Sequence, residues 1–263
     1  MSVTKVKNRI EELFSLKKQR VLSVYFSAGF PELHDTLKIA QWLQESGADM
    51  IEIGMPFSDP IADGPTIQES NKKALDNGMS IKLLFDQLSN LRQHVEIPVI
   101  LMGYLNPVIQ FGIERFCSKC EETGVDGLIL PDLPMAEYLE EYRNLFEQHG
   151  LFNIFLITPQ TSEDRIRQID RHSNGFIYMV SSASVTGARN TISGEQTSYF
   201  DRINAMALNH PALIGFGISN KETFDLACRY ATGAIIGSAF IKTLASSSNL
   251  EKDIKSYIAS VKE

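Results

Sequence analysis

Short apolar runs, mostly free of charge, recur along this chain, and each is followed by a segment of helical periodicity. The runs fall at 21–26, 50–53, 99–102, 128–130, 152–157, 176–180, 212–215 and 234–236. They lack strict apolar–polar alternation. The strands they form should therefore be parallel and covered on both faces. Parallel neighbours need a long crossover, and the intervening segments supply helices at 32–45, 66–76, 80–93, 111–122, 136–148, 162–171, 196–208, 220–229, 239–245 and 249–260. Eight strand–helix units in 263 residues fit an α/β fold with one domain over 1–263, a closed (β/α)8 barrel of the TIM type. A leading helix over 1–16, with Val6, Ile10, Leu13 and Phe14 on one face, precedes the first strand. A doubly wound sheet is the competitor. It usually stops at fewer strands, and no GxGxxG turn follows the first strand here.

Charge and composition exclude several classes of function. The formal net charge is -7, and lysine and arginine are spread along the chain, so no basic stripe invites nucleic acid or a membrane surface. Cys117, Cys120 and Cys228 are an odd set, which argues for a reducing compartment. Cys117 and Cys120 form a CxxC inside a helical pattern with no second pair, so a metal site is not expected. The opening MSVTKVKNRIEELF has no long apolar core, and no stretch approaches the roughly 18 apolar residues of a membrane span. A cytoplasmic location is expected. None of the five histidines lies at a strand end, so a Ser–His triad has no base.

A barrel places its chemistry at the carboxyl ends of its strands. The second run and its exit read IEIGMPFSDPIADGPT over 51–66. Glu52 lies between two isoleucines, where a carboxylate is costly unless paired or used. Asp63 follows on the loop leaving the same strand end. The two can converge on one cavity as acid and base. The plainer readings are a buried carboxylate tied to a backbone N–H or a tyrosine hydroxyl for Glu52, and a turn cap for Asp63. Asp132, between prolines, reads as a turn residue. Gly217 and Gly237-Ser238 follow the seventh and eighth strands, where barrels hold phosphate on backbone N–H groups, and Gly187 adds a third glycine. Plain turn glycines are the alternative. Tyr178, on the sixth strand, is either core or a hydrogen-bond partner for a carboxylate.

The stretch EIGMPFSDPIADGPTIQ over 52–68 resembles the tryptophan synthase alpha chain family. Supporting it are 104–107, 131–134, YMVSSASVTG over 178–187, 215–219 and Gly237-Ser238, so the likeness covers essentially the full length. It implies a lyase performing the retro-aldol cleavage of indole-3-glycerol phosphate to indole and glyceraldehyde 3-phosphate. A catalytically weak docking subunit is the alternative. The resemblance puts the acid–base pair on Glu52 and Asp63, with Tyr178 and Thr186 in support. It puts phosphate on Gly187, Gly217, Gly237 and Ser238. The indole pocket falls on Tyr25, Met102 and Ile129, with Ile67 a weaker candidate. The segments 56–66 and 182–196 become active-site loops. Asp59, Asn106 and Pro107 become contacts to a beta chain in an alpha–beta–beta–alpha complex. Neither a metal nor an organic cofactor is implied in this chain, pyridoxal phosphate belonging to the beta chain. The family pattern has arginine and glycine near Ser182 and Ser184, and commonly phenylalanine at Tyr25.

Overall fold

The computed structural model describes residues 8–61, 63–180, 194–215 and 217–263. Its strands are β1 (Val21–Ser27), β2 (Met50–Gly54), β3 (Val99–Met102), β4 (Gly127–Ile129), β5 (Phe152–Asn153), β6 (Leu156–Ile157), β7 (Ile177–Val180), β8 (Ala212–Gly215) and β9 (Gly233–Ile236). Every pairing is parallel, in the order β5-β4-β3-β2-β1-β9-β8-β7-β6. The two ends of that order are consecutive in the chain and joined by Ile154-Phe155. The Ile154 N–H donates to Leu128 O at 2.9 Å, and the Tyr178 N–H donates to Phe155 O at 2.9 Å. The segment 152–157 is thus one bent strand that passes from β4 to β7 and closes the barrel. The expected eight-strand (β/α)8 fold is the one observed, with its fifth strand in two ladder segments.

The ladder register fixes which side chains face inward. Tyr25 pairs with Glu52 and Glu52 with Ile100, and laterally paired residues point to the same face. Met50, Ile100, Ile129, Ile154, Tyr178, Leu213 and Ile235 form one interior cluster with Ile10 and Phe14. A larger apolar layer fills the space between the strands and the surrounding helices.

Ile10 and Phe14 belong to the helix Arg9–Leu16, whose N-cap Asn8 accepts from the Ile10 N–H. Both are buried, and the Phe14 and Phe176 rings lie 5.7 Å apart, so this helix plugs the amino end of the barrel. Burying two such side chains stabilises by roughly 1.5–3 kcal/mol each. Asp126, just before β4, fastens that end by accepting from Arg9, Arg92 and the Val99 N–H. The strands finish at the opposite end, where barrels place their chemistry.

The helices depart from expectation in three places. The 80–93 pattern is two helices, Ile81–Gln87 and Leu91–His94. The expected helix at 136–148 contains a wide turn at Tyr138–Tyr142, closed by Arg143 N–H to Tyr138 O, between Met135–Glu137 and Arg143–Gln148. Leu105–Phe111 is a further helix, in the stretch between the third run and the helix expected from 111. Pro107 is tolerated in its first turn because the N–H that proline lacks has no intrahelical partner there. Asp132 is more than a turn residue. Both of its carboxylate oxygens accept from the Leu105 N–H, at 2.9 and 3.0 Å, and so cap that helix.

Candidate active site

Glu52 is fully buried inside the barrel on β2. Its Oε1 accepts a hydrogen bond from Ser23 Oγ at 2.7 Å, while Oε2 has no hydrogen-bond partner among the described residues. Burial pushes the Glu52 carboxyl up to about 7, and the Ser23 hydrogen bond works against that rise. Asp63 reaches the same end from the β2 exit loop. Its Oδ2 accepts from Tyr104 Oη at 3.4 Å, and burial raises its carboxyl to about 6 against that bond. The loop is held in place by Gln68 on the helix Pro65–Asp76, whose Nε2 donates to Asp63 O at 2.9 Å. The Phe57 and Tyr104 rings pack 5.3 Å apart alongside.

Two tyrosines complete the group. Burial raises the Tyr25 phenol, and the charges of Asp63 and Glu52 add to that rise. The Tyr178 phenol is raised by burial and by Glu52, Asp63 and Tyr25. Each tyrosine thus lies within electrostatic reach of both carboxylates. Glycines at the strand ends make room for the rings. A Cβ on Gly54 would collide with the Tyr25 hydroxyl, and one on Gly215 with the Tyr178 ring.

Gly237 is the N-cap of the helix Ser238–Ala245, whose first N–H groups have no intrahelical partner. Gly237 abuts the Tyr25 ring, with its Cβ position 3.6 Å from Cδ1, so this helix start borders the carboxylate pocket. Gly217 follows β8 with φ 81°, the left-handed region that favours glycine. Met102 and Ile129 end β3 and β4 and pair with each other across the inner face. Ile67 is buried in the first turn of Pro65–Asp76. Thr186 and Gly187, with Ser182, Ser184 and the segment 181–193, lie outside the described residues.

Asp59 and Asn106 are exposed and Pro107 half-buried. Sequence reasoning missed their apolar companions. Ile61 is 90% exposed and Ile109 48%, on the same loop and the same helix. The CxxC pair is core: Cys117 and Cys120 are buried in Ile113–Thr123, and burial pushes the Cys117 thiol up to about 12. Among the described residues no acidic, histidine or cysteine cluster is arranged for a metal, and no helix is long and apolar enough to cross a membrane.

The sequence model of a family described as tryptophan synthase alpha chain matches residues 13–263. The chain belongs to the tryptophan synthase alpha chain family. The alpha chain of Flavobacterium psychrophilum is 63% identical over 237 residues, which cover 90% of this chain and 93% of that one. That of Christiangramia forsetii is 56% identical over 255 residues, covering 97% and 98%. The crystal structure of tryptophan synthase subunit alpha from Legionella pneumophila superposes with a TM-score of 0.87 at 32% identity, covering 97% of each chain. As a tryptophan synthase alpha chain it is the lyase subunit, cleaving indole-3-glycerol phosphate and working with a beta chain. The weak docking subunit is not the favoured reading.

Proposed function

We propose that Glu52 and Asp63 carry out the retro-aldol cleavage of indole-3-glycerol phosphate, with the indole ring held between them. The supporting observation is the fully buried Glu52 Oε2, without a hydrogen-bond partner among the described residues, on a strand whose exit loop carries Asp63, with both carboxylates acting on the Tyr25 and Tyr178 phenols. The bond to indole C3 breaks only once C3 is protonated and the ring is electron-poor. Protonated Glu52 gives its proton to C3. Ionised Asp63 accepts the ring N–H and stabilises the positive charge that grows there. The C3–C3′ bond then breaks, and its electron pair restores the aromatic ring. A lone pair of the C3′ hydroxyl oxygen forms the aldehyde carbonyl, and the hydroxyl proton passes to Glu52. Indole and glyceraldehyde 3-phosphate leave, and Glu52 is protonated again. A carboxyl near 7 suits both transfers at neutral pH.

Tyr25, Met102 and Ile129 line the indole pocket in this reading, and Tyr178 and Thr186 orient the carboxylates. Phosphate rests on the backbone N–H groups of Gly187, Gly217, Gly237 and Ser238, with the Ser238 hydroxyl. The whole chain acts as one domain, with 56–66 and 182–196 as closing loops. Each step is a proton transfer or an electron-pair shift within the substrate, so this chain needs no cofactor of its own. Pyridoxal phosphate belongs to the beta chain, met through Asp59, Asn106 and Pro107 in an alpha–beta–beta–alpha complex in the cytoplasm. The test is indole release from indole-3-glycerol phosphate by purified Glu52→Gln protein with wild-type circular dichroism. Loss by at least about a thousandfold is expected, and wild-type turnover would overturn the assignment.

A further inference from the structure

The hydroxyl that touches Glu52 comes from a residue no family motif singled out. Ser23 lies on β1, one inward step before Tyr25, and the register Ser23 to Met50 and Tyr25 to Glu52 sets it diagonal to Glu52. Both Ser23 and Glu52 are fully buried. Ser23 also pairs with Ile235 of β9, and Val21 precedes it on the inner face, so its other surroundings there are apolar. A hydroxyl in such a place costs stability relative to alanine unless it is bonded. Its bond is the 2.7 Å contact to Glu52 Oε1. The Tyr25 hydroxyl lies 3.4 Å from Ser27 Oγ, so the nearest phenol of the same strand is engaged elsewhere.

We propose that Ser23 is a positioning residue for Glu52, holding Oε1 so that the unpartnered Oε2 is the oxygen presented to the reacting atoms. A carboxylate with two equivalent oxygens and a rotatable terminal bond has no fixed working edge. One short hydrogen bond to Oε1 supplies it. The same bond favours the ionised form, which tempers the effect of burial and keeps the proton releasable. The other titratable groups near Glu52 are Tyr25 on β1 and Tyr178 on β7, and Asp63 on the β2 exit loop, bonded to Tyr104, acts on the same two phenols. From β3 comes apolar Ile100. Among the described residues no lysine, arginine or histidine acts on Glu52, which leaves Ser23 as the group that opposes its desolvation.

The inference rests on Glu52 being the acid, and the test separates the two. The pH dependence of kcat/KM is measured for wild type, Ser23→Ala and Ser23→Thr, beside Glu52→Gln as control. The Glu52 carboxyl is titrated directly by carbon NMR in glutamate-labelled protein, taking Glu52→Gln to assign the signal. In Ser23→Ala the basic limb and the NMR midpoint both move up by about one pH unit, the scale of one lost hydrogen bond to a charge. In the same variant kcat falls by roughly ten- to a hundredfold. Ser23→Thr, which keeps the hydroxyl, restores both. An active Glu52→Gln enzyme would remove the underlying assignment. A dead Glu52→Gln enzyme with an unmoved limb and midpoint in Ser23→Ala would overturn the role of Ser23 alone.

Discussion

Replacing Glu52 by glutamine should change how stability depends on pH, in a direction opposite to its effect on activity. In the unfolded chain this carboxyl titrates at its ordinary 4.5, and in the fold burial raises it to about 7. The folded state therefore binds the proton more tightly. Its contribution is fully present below about 4.5 and is lost as pH rises through about 7. At about 1.36 kcal/mol per pH unit, wild type gives up roughly 2 to 3 kcal/mol between pH 5 and pH 8 from this group. Glutamine carries no such proton. Its amide leaves one polar atom unpaired in the site, a cost that does not vary with pH. Urea denaturation of both proteins at the two pH values reads the difference as a shift in midpoint at constant slope. Relative to wild type, Glu52→Gln should gain roughly 2 to 3 kcal/mol between pH 5 and pH 8. Parallel pH profiles would mean that Glu52 is not desolvated in the folded chain, and the reasoning from burial to an acid near neutrality would fail.

Other expectations follow from the same geometry. With Glu52 protonated and Asp63 ionised in the active form, kcat/KM should be bell-shaped, its limbs set by Asp63 near about 6 and Glu52 near about 7. Asp63→Asn should lower kcat by roughly a hundredfold or more and abolish the acid limb that belongs to Asp63, measured with substrate whose phosphate titration is subtracted. Gly54→Ala drives a Cβ into the Tyr25 hydroxyl, so the melting curve should show a loss of roughly 1–3 kcal/mol and KM should rise. Ile61→Asp should weaken binding to a beta chain by about tenfold or more in calorimetric titration, while shifting denaturant stability by less than about 0.5 kcal/mol, because Ile61 is 90% exposed.

The strand–helix repeat was readable because parallel strands buried on both faces leave short uncharged runs that polar helices interrupt. Glu52 was readable for the same reason, as a charge among isoleucines. What stayed hidden depends on contacts between distant segments. The helix Leu105–Phe111 reads as a loop because its sequence holds a proline, and its cap comes from Asp132 on the next strand's exit. The division of 152–157 into β5 and β6 follows from closure, since one strand must change neighbours where the barrel meets itself. A serine in a strand says nothing about chemistry by itself, and Ser23 gains its meaning only from the β1–β2 register. Ile61 is an apolar residue in a polar loop, and its exposure is visible only in the structure.

The mechanism requires one indole ring to lie between two acidic side chains. It is tested most directly by a crystal structure with an uncleavable substrate analogue lacking the C3′ hydroxyl. Glu52 Oε2 should lie within about 3.5 Å of indole C3, and an Asp63 carboxylate oxygen within hydrogen-bond distance of the ring N–H. The phosphate should rest against Gly217, Gly237 and Ser238. An analogue bound there with its ring out of reach of either carboxylate would refute that arrangement.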